Sequence, residues 1–171
     1  MRRVRFSVAM SLDGYISGPN GESDWILMDP DIDFAALMVQ FDTVILGRRT
    51  YELTKRQGGG GGMPGVQVFV ISRTLNPAEC PGVTVSGDPA ATIAALQNEP
   101  GRDIWLFGGG LLFRSLLQLG LVDTVEVAII PVLLGEGLPL LPPPTPLTSL
   151  KLIAHRTYQK TGTVSLEYAV Q

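Results

Sequence analysis

The chain has 171 residues, of which 45% are hydrophobic and 17% are charged, and its formal net charge is −3. This composition excludes a disordered or fibrous protein, and the length suffices for one domain with a substantial core. The acidic balance gives no electrostatic basis for binding nucleic acid. Cys80 is the single cysteine, so an intramolecular disulfide is excluded and a reducing compartment is favoured.

Nothing in the sequence indicates a membrane partner. The apolar stretch near the N-terminus is too short, and too mixed in composition, for a signal peptide. The most apolar stretch, residues 125–141, contains two glutamates and two prolines, which argues against a membrane span. We therefore expect a soluble cytoplasmic protein.

Strands and helices are predicted to alternate along most of the chain. The first strand (2–12) begins with Arg2, Arg3 and Arg5, which we expect to be solvated, and a loop (11–26) follows it. Further strands are predicted at 43–46, 66–72, 83–86, 103–107, 124–135, 150–160 and 163–170. Helices are predicted at 29–41, from about Thr50, at 88–99 and at 111–120.

This alternation predicts an α/β fold with a mainly parallel sheet flanked by helices. The strands read as nearly continuous apolar runs, as expected when both faces of a sheet are covered. The last two strands meet near Gly162 and should form an antiparallel hairpin at one edge. The Pro-rich stretch 142–146 is too short for a linker, so residues 1–171 are predicted to form a single domain.

Three junctions at strand ends are rich in glycine or hydrogen-bond donors. They are GRRT (Gly47, Arg48, Arg49, Thr50), SR (Ser72, Arg73) and GGGLL (Gly108, Gly109, Gly110, Leu111, Leu112). Free amides at a helix start bind anions, and arginines bind phosphates. Taken together the junctions suggest a dinucleotide, whereas the glycines of 108–110 taken alone could equally serve a tight turn between helix and sheet.

The first loop has the composition of a mobile flap over a site, or of an ordinary surface loop. Asp13 and Asp24 are candidates to orient or protonate a substrate, and Trp25 is a candidate to stack on its ring. No cluster of cysteine and histidine indicates a metal site, so none is predicted. His155, the single histidine, is expected to be structural.

The chain resembles the dihydrofolate-reductase-like superfamily. It is most similar to small stand-alone relatives of the C-terminal reductase domain of the bacterial riboflavin-biosynthesis deaminase–reductase. The segments that carry the resemblance, in family order, are SVAMSLDGYISGPNGESDWI (7–26), FDTVILGRRTYE (41–52), VFVISRT (68–74), the stretch from Ile104 to Leu141 and the final hairpin.

The resemblance implies a twisted central sheet and NADPH as the hydride donor. It places Ala9 and Ile16 against the nicotinamide, the GRRT and SR junctions near the 2′-phosphate, and GGGLL on the pyrophosphate. Many relatives are homodimers, so a homodimer is a further expectation. Dihydrofolate reductases also carry an acidic residue in the helix after the first loop, and Asp31 and Asp33 lie near that place.

We therefore expect an NADPH-dependent reductase that acts on a small, heterocyclic substrate similar to a pterin or a riboflavin precursor. The alternatives are a dihydrofolate reductase proper and a non-catalytic regulatory module that binds NADP. No basic cluster for a substrate phosphate is found beyond the residues assigned to the cofactor. The glycine run at 58–62 is expected to be a mobile loop rather than a ligand cradle.

Overall fold

A computed structural model describes residues 1–59 and 65–171. The strands are β1 (Val4–Ser11), β2 (Tyr15–Ser17), β3 (Phe41–Gly47), β4 (Gln67–Ile71), β5 (Thr84–Ser86), β6 (Asp103–Gly108), β7 (Thr124–Ile130), β8 (Leu138–Pro139), β9 (Leu150–Tyr158) and β10 (Thr163–Val170). The α-helices are α1 (Phe34–Met38), α2 (Arg48–Arg56), α3 (Pro89–Asn98) and α4 (Gly110–Gln118). Within these described ranges, no helix combines the length and the hydropathy that crossing a membrane would require.

Eight strands form one sheet in the order β5-β4-β3-β6-β1-β7-β10-β9. The six strands from β5 to β7 run parallel, and β10 and β9 continue the sheet antiparallel. The predicted parallel sheet with a C-terminal hairpin is therefore confirmed. The carboxyl ends of β3, β4 and β6 lie side by side at one edge of the sheet.

The sheet separates two hydrophobic cores because successive side chains of a strand point to opposite faces. On one face, Phe6 and Phe113 stack at 3.9 Å between ring centroids, with Ile45, Ile93 and Leu116 buried around them. On the other face, Cys80 is buried in a cluster with the following residues: Val44, Leu46, Tyr51 and Val70.

The expectation that all three N-terminal arginines are solvated is wrong for two of them. Arg2 is 6% exposed and Arg5 is 5% exposed. Arg2 donates hydrogen bonds to Asp42 and to Thr43, and the guanidinium of Arg5 forms an ion pair with Glu126 at 2.6 Å. Buried guanidinium groups are tolerated where acceptors surround them, and those acceptors come from strands distant in sequence.

The helix predicted at 29–41 is shorter than expected. It begins at Phe34, after Asp33, whose carboxylate accepts the Ala36 amide at 2.9 Å as an N-cap. The preceding residues instead form a turn around the buried carboxylate of Asp29. That carboxylate accepts hydrogen bonds from the Asp31 amide and from the amide and hydroxyl of Thr161, each at 2.9 Å. Asp29 thereby ties the segment before α1 to the β9–β10 turn.

The first loop is paired to a distant segment. Its strand β2 pairs antiparallel with β8, with Tyr15 opposite Pro139 and Ser17 opposite Leu138. The loop is therefore anchored at its middle, whereas the sequence suggested a mobile flap or an ordinary surface loop.

The substitution Asp29→Asn is expected to lower the thermal unfolding midpoint by several degrees at pH 7. The asparagine NH₂ would face the amides and the hydroxyl that now donate hydrogen bonds to the carboxylate, so donor would meet donor. Burial raises the pKa of Asp29, but the hydrogen bonds from Asp31 and Thr161 outweigh it, so the pKa is lowered overall. The contribution of Asp29 is therefore present above the unfolded pKa of about 4 and is lost as the pH falls through the folded pKa.

Circular dichroism melts from pH 7 to pH 3 check this prediction, and the gap between wild type and variant should narrow below about pH 4. Lys160→Ala is the matched control. It removes the 2.7 Å ion pair with Asp31, in which both side chains are at least half exposed, so little change is expected. An equal loss in both variants, or a gap independent of pH, would contradict the role given to Asp29.

Candidate functional site

The three predicted junctions lie together at one edge of the sheet. Leu46 of β3 is in register with Gly108 of β6, and Gly47 is in register with Ile71 of β4. An ideal Cβ on Gly47 would lie 3.9 Å from the Gly108 oxygen. The parallel strands thus bring GRRT, SR and GGGLL side by side, in the crevice where open α/β sheets bind ligands.

The three glycines of 108–110 differ in what they do. Gly108 has a φ of +135° and open space where a Cβ would point, and its peptide bond to Gly109 is cis. Gly109 is the N-cap of α4, and a Cβ there would approach Thr50 Oγ1 at 3.2 Å. A Cβ on Gly110 would lie 2.6 Å from the Pro139 oxygen. Packing therefore requires Gly110, whereas among the described residues an added Cβ would meet nothing within 4 Å at Gly108 and a single hydroxyl at Gly109.

Two helix starts converge at this edge. The N-caps of α2 and α4 are Gly47 and Gly109, and in the described part of the chain neither helix has a side chain capping its first amides. Each helix has nine residues, so its N-terminus carries the partial positive charge of a full helix dipole. Leu111 is half exposed and Leu112 is buried. Amides from two adjacent helices are thus available to an anion.

Arginine side chains flank these amides. Arg48 pairs with Glu52 at 3.3 Å, whereas Arg49 and Arg73 are exposed and form no ion pair within the described ranges. Ser72 is used locally, because its hydroxyl accepts the amides of Thr74 and Leu75 at 3.1 Å. The two free arginines are the groups best suited to a doubly charged phosphate.

A slot opens in the sheet beside these junctions. Pairing between β1 and β6 ends at Phe6 and Leu106, whereas β1 stays paired with β7 as far as Ser11. The Ser7 oxygen accepts the indole N–H of Trp105 at 2.9 Å in place of a backbone donor. Because peptide groups alternate along a strand, those of Ala9 face the same side, toward the slot.

Two cavities meet at Trp105. The α1 cavity, of about 450 Å³, lies between α1 and the sheet, and its lining includes Ala9, Phe34, Leu37, Glu126 and Glu167. The α2 cavity, of about 350 Å³, is lined by Met38, Leu46, Tyr51, Thr54, Phe107 and others. Ala9 is assigned to the nicotinamide by the resemblance, whereas the aromatic residues and glutamates of these cavities are not singled out for the site, because Trp105 and Phe107 read in the sequence as strand residues.

The three loop residues predicted to act on substrate line neither of these cavities. Asp24 is exposed in a turn, and Trp25 donates its indole N–H to the Glu22 oxygen at 3.1 Å. Ile16, assigned to the nicotinamide, is half-buried in β2. The roles given to Asp24, Trp25 and Ile16 stay predictions.

Asp13 has a local function in the loop. Its carboxylate accepts the Ser11 hydroxyl at 2.6 Å and the amides of Gly135 and Leu134. These hydrogen bonds, that of Ser11 first, lower the pKa of Asp13 to about 2. A carboxylate this acidic is ionised at neutral pH, so the contacts favour fastening the loop to residues 134–135 over donating a proton.

The acidic pair near α1 divides into two environments. Asp33 lines the α1 cavity, whereas Asp31 forms an exposed ion pair with Lys160.

Of the glycine run at 58–62, residues 60–62 lie outside the described residues. Gly59, at its start, lines the α2 cavity.

The fold is that of the dihydrofolate-reductase-like proteins. A dihydrofolate reductase from Enterococcus faecalis, complexed with NADP(H), has a TM-score of 0.73 at 17% identity and covers 99% of this chain and 96% of that one. A protein from Shewanella sp. PV-4, whose name places it in riboflavin biosynthesis, has a TM-score of 0.82 at 27% identity, with 100% and 99% coverage.

The sequence comparisons define the family. The model of the RibD C-terminal domain matches residues 2–164. The Bacillus subtilis (strain 168) protein YyaP is 34% identical, over 98% of this chain and 94% of its own length. The chain therefore belongs to the RibD C-terminal domain family, which confirms the resemblance seen in the sequence.

Gly110→Ala is expected to destabilise the fold by about 1–3 kcal/mol, the usual cost of overpacking. The new Cβ would meet the oxygens of Pro139 and Leu140 at 2.6 and 3.0 Å, and backbone atoms cannot rotate away. Urea denaturation measures the loss. Gly109→Ala is the matched control, because among the described residues its new Cβ would closely approach a single hydroxyl, at 3.2 Å. Equal stability of the two variants would refute this division of roles.

Proposed function

We propose that the chain is an NADPH-dependent reductase that transfers hydride to a small heterocyclic substrate of the pterin or riboflavin-precursor type. The observation that carries the proposal is the convergence of the GRRT, SR and GGGLL junctions beside an open slot in the sheet. Membership of the RibD C-terminal domain family supports it. The NADP(H) in the structurally similar E. faecalis reductase supports it as well.

The residues at the crevice fit this cofactor. The amides that begin α2 and α4 would hold the pyrophosphate, with Gly108 and Gly109 leaving room for it. Arg49 and Arg73, together with Arg48, would hold the 2′-phosphate and favour NADP over NAD. The peptide groups of Ala9 in the slot would hold the nicotinamide carboxamide, and when bound the cofactor supplies the hydride.

The chain's own residues would then orient the substrate and exclude water. Trp105 and Phe107 form an edge-to-face aromatic pair at 5.0 Å beside the slot, which makes this part of the crevice apolar. Asp33 presents a carboxylate to the α1 cavity, where it can orient the substrate or carry a proton. We assign it that role in preference to Asp31, whose carboxylate already pairs with Lys160.

The predicted homodimer belongs to this proposal. Strand β9 ends the sheet, and its residues 150–157 are exposed on both faces. An edge strand of nine residues without proline is a template for pairing with another chain. A second copy of the chain is the partner proposed here.

Isothermal titration with NADPH and NADH tests the cofactor assignment. Wild type is expected to prefer NADPH, and Arg73→Gln should weaken NADPH binding about tenfold while NADH binding changes little, because only NADPH carries the 2′-phosphate. Arg56→Gln, which removes a charge from the far end of α2, is the control and should preserve the preference. Absence of NADPH binding by a folded protein would refute the proposed function.

A dihydrofolate reductase proper is the second candidate, favoured by Asp33 at the α1 cavity. With dihydrofolate as substrate, Asp33→Asn should lower the rate of NADPH oxidation about 100-fold, because asparagine keeps the N-cap but cannot supply the acid. Asp31→Asn is the control and should retain activity. If dihydrofolate does not oxidise NADPH, or if both variants are equally active, this candidate is excluded.

The remaining alternative is the non-catalytic regulatory module, and NADPH binding without oxidation across pterins and riboflavin precursors would favour it.

A further inference from the structure

We propose that the substrate of this site is a planar, largely apolar compound that is neutral or cationic, and that phosphorylated substrates are disfavoured. This inference rests on the proposed function, because it concerns the compound that meets the cofactor at Ala9 and Trp105. Four features of the two cavities carry it: their apolar walls, the carboxylates on the floor, the pairing of Arg5, and the shape around Trp105.

The walls are apolar where a substrate would enter. Around the α1 cavity, Leu27, Met28 and Phe34 are 66%, 50% and 42% exposed. Phe107, at the α2 cavity, is 37% exposed beside the glycine junction. Large apolar side chains held open to solvent at a cavity mark a surface that an apolar ligand covers.

The charges of the α1 cavity repel an anion. Three carboxylates line it, those of Asp33, Glu126 and Glu167, against two guanidinium groups, those of Arg5 and Arg156. The sequence of the undescribed residues 60–64 adds no ionisable side chain. Because Glu126 pairs with Arg5, the balance is that of Asp33 and Glu167 against Arg156, and this excess of negative charge penalises a phosphate dianion but not a neutral or cationic ring.

Arg5 is not available to bind an anion in the α1 cavity. Its guanidinium is held by Glu126 on one side and by Gln40 at 2.7 Å on the other, and Asp103 lies 3.4 Å away. Burial lowers the pKa of Arg5, but the hydrogen bonds and the charges of Glu126 and Asp103 outweigh it, so that pKa is raised overall. The group is thus permanently charged and fully committed to protein acceptors.

Arg156 is the cation at this cavity that could still meet an anion. It lies on β9 with its guanidinium 4.7 Å from the centre of the Tyr158 ring, and it forms no ion pair within the described part of the chain. It is exposed at the outer strand of the sheet, where solvent screens its charge. Its contribution must therefore be measured separately.

The aromatic groups favour a flat ligand. Trp105 lines both cavities and stacks with Phe41 at 5.6 Å, with an interplanar angle of 27°. A ring system placed against Trp105 can extend into the α1 cavity on one side and the α2 cavity on the other. The volumes of about 450 and 350 Å³ leave room for a substrate of two or three fused rings.

The test uses three fluorescent probes with planar, dimethylated tricyclic rings: lumichrome, riboflavin and riboflavin 5′-phosphate. The last two differ by a phosphate alone. Probe anisotropy is measured on protein saturated with NADP⁺, at low ionic strength. Lumichrome and riboflavin should bind, and riboflavin 5′-phosphate should bind about tenfold more weakly than riboflavin. Equal or tighter binding of the phosphate, or no binding of lumichrome to protein that binds NADP⁺, overturns the inference.

Variants identify the residues that cause the difference in affinity between riboflavin and riboflavin 5′-phosphate. Glu167→Lys should reduce the tenfold difference to about threefold or less, because it reverses one charge on the cavity floor. Arg156→Gln should leave the difference unchanged, and a selective loss of riboflavin 5′-phosphate binding in that variant would mean that Arg156 recognises phosphate. Phe34→Ala should weaken all three probes, whereas Leu119→Ala, an exposed residue at the end of α4, should weaken none.

The two proposals fail in different ways. If NADPH and NADP⁺ do not bind, the proposed function fails, and the same probe series run without nucleotide then decides the charge preference of the cavity by itself. If NADP⁺ binds and the phosphate is preferred, the reductase proposal stands and the substrate inference falls.

Discussion

The shape of the crevice depends on one hydrogen bond, which the Trp105 indole donates to the Ser7 oxygen. Backbone pairing between β1 and β6 ends one residue earlier, at Phe6 and Leu106. A side chain thus satisfies the first peptide oxygen beyond the ladder, and the next groups of β1 stay open at the edge of the slot. The same indole forms a wall of both cavities. This contact therefore links β1 to β6 where their backbone pairing ends, and its indole lines the space beside the slot.

Parallel pairing explains why the juxtaposition of the three junctions, the proposed cofactor side, was predictable. Residues 47, 72 and 108 are far apart in sequence, yet each lies at or directly after the end of a strand, and parallel strands place their carboxyl ends at one edge. The crevice at GRRT, SR and GGGLL follows from that rule alone, and its register in the structure agrees. The sequence left two explanations for the glycines of 108–110, and the structure divides them, since packing requires Gly110 and open space faces Gly108.

The substrate side could not be predicted in the same way, because its residues meet only through tertiary contacts. Arg5 reads as a solvated basic residue until Glu126, which is 121 positions away, pairs with it. The loop before α1 turns around Asp29 because Thr161, on the opposite hairpin, donates to that carboxylate. Asp13 has the residue type of a catalytic acid, but the amides at 134–135 and the hydroxyl of Ser11 hold it ionised. Neither the hydrophobic periodicity nor the spacing of motifs in the sequence predicts these tertiary hydrogen-bond partners.

The distribution of charge gives the crevice a direction. Cations without ion-pair partners in the described ranges, Arg49 and Arg73, flank the ends of β3 and β4, whereas carboxylates predominate beneath α1, across the slot. Under the proposed assignment, a phosphorylated dinucleotide would be attracted to one end of the crevice and repelled from the other. Arg5 would weaken this polarity if it were free, but its pairing with Glu126 neutralises it inside the sheet. Burying that arginine thus keeps the proposed substrate end apolar to anionic, which would let two ligands of opposite preference meet at Trp105 without competing for one site.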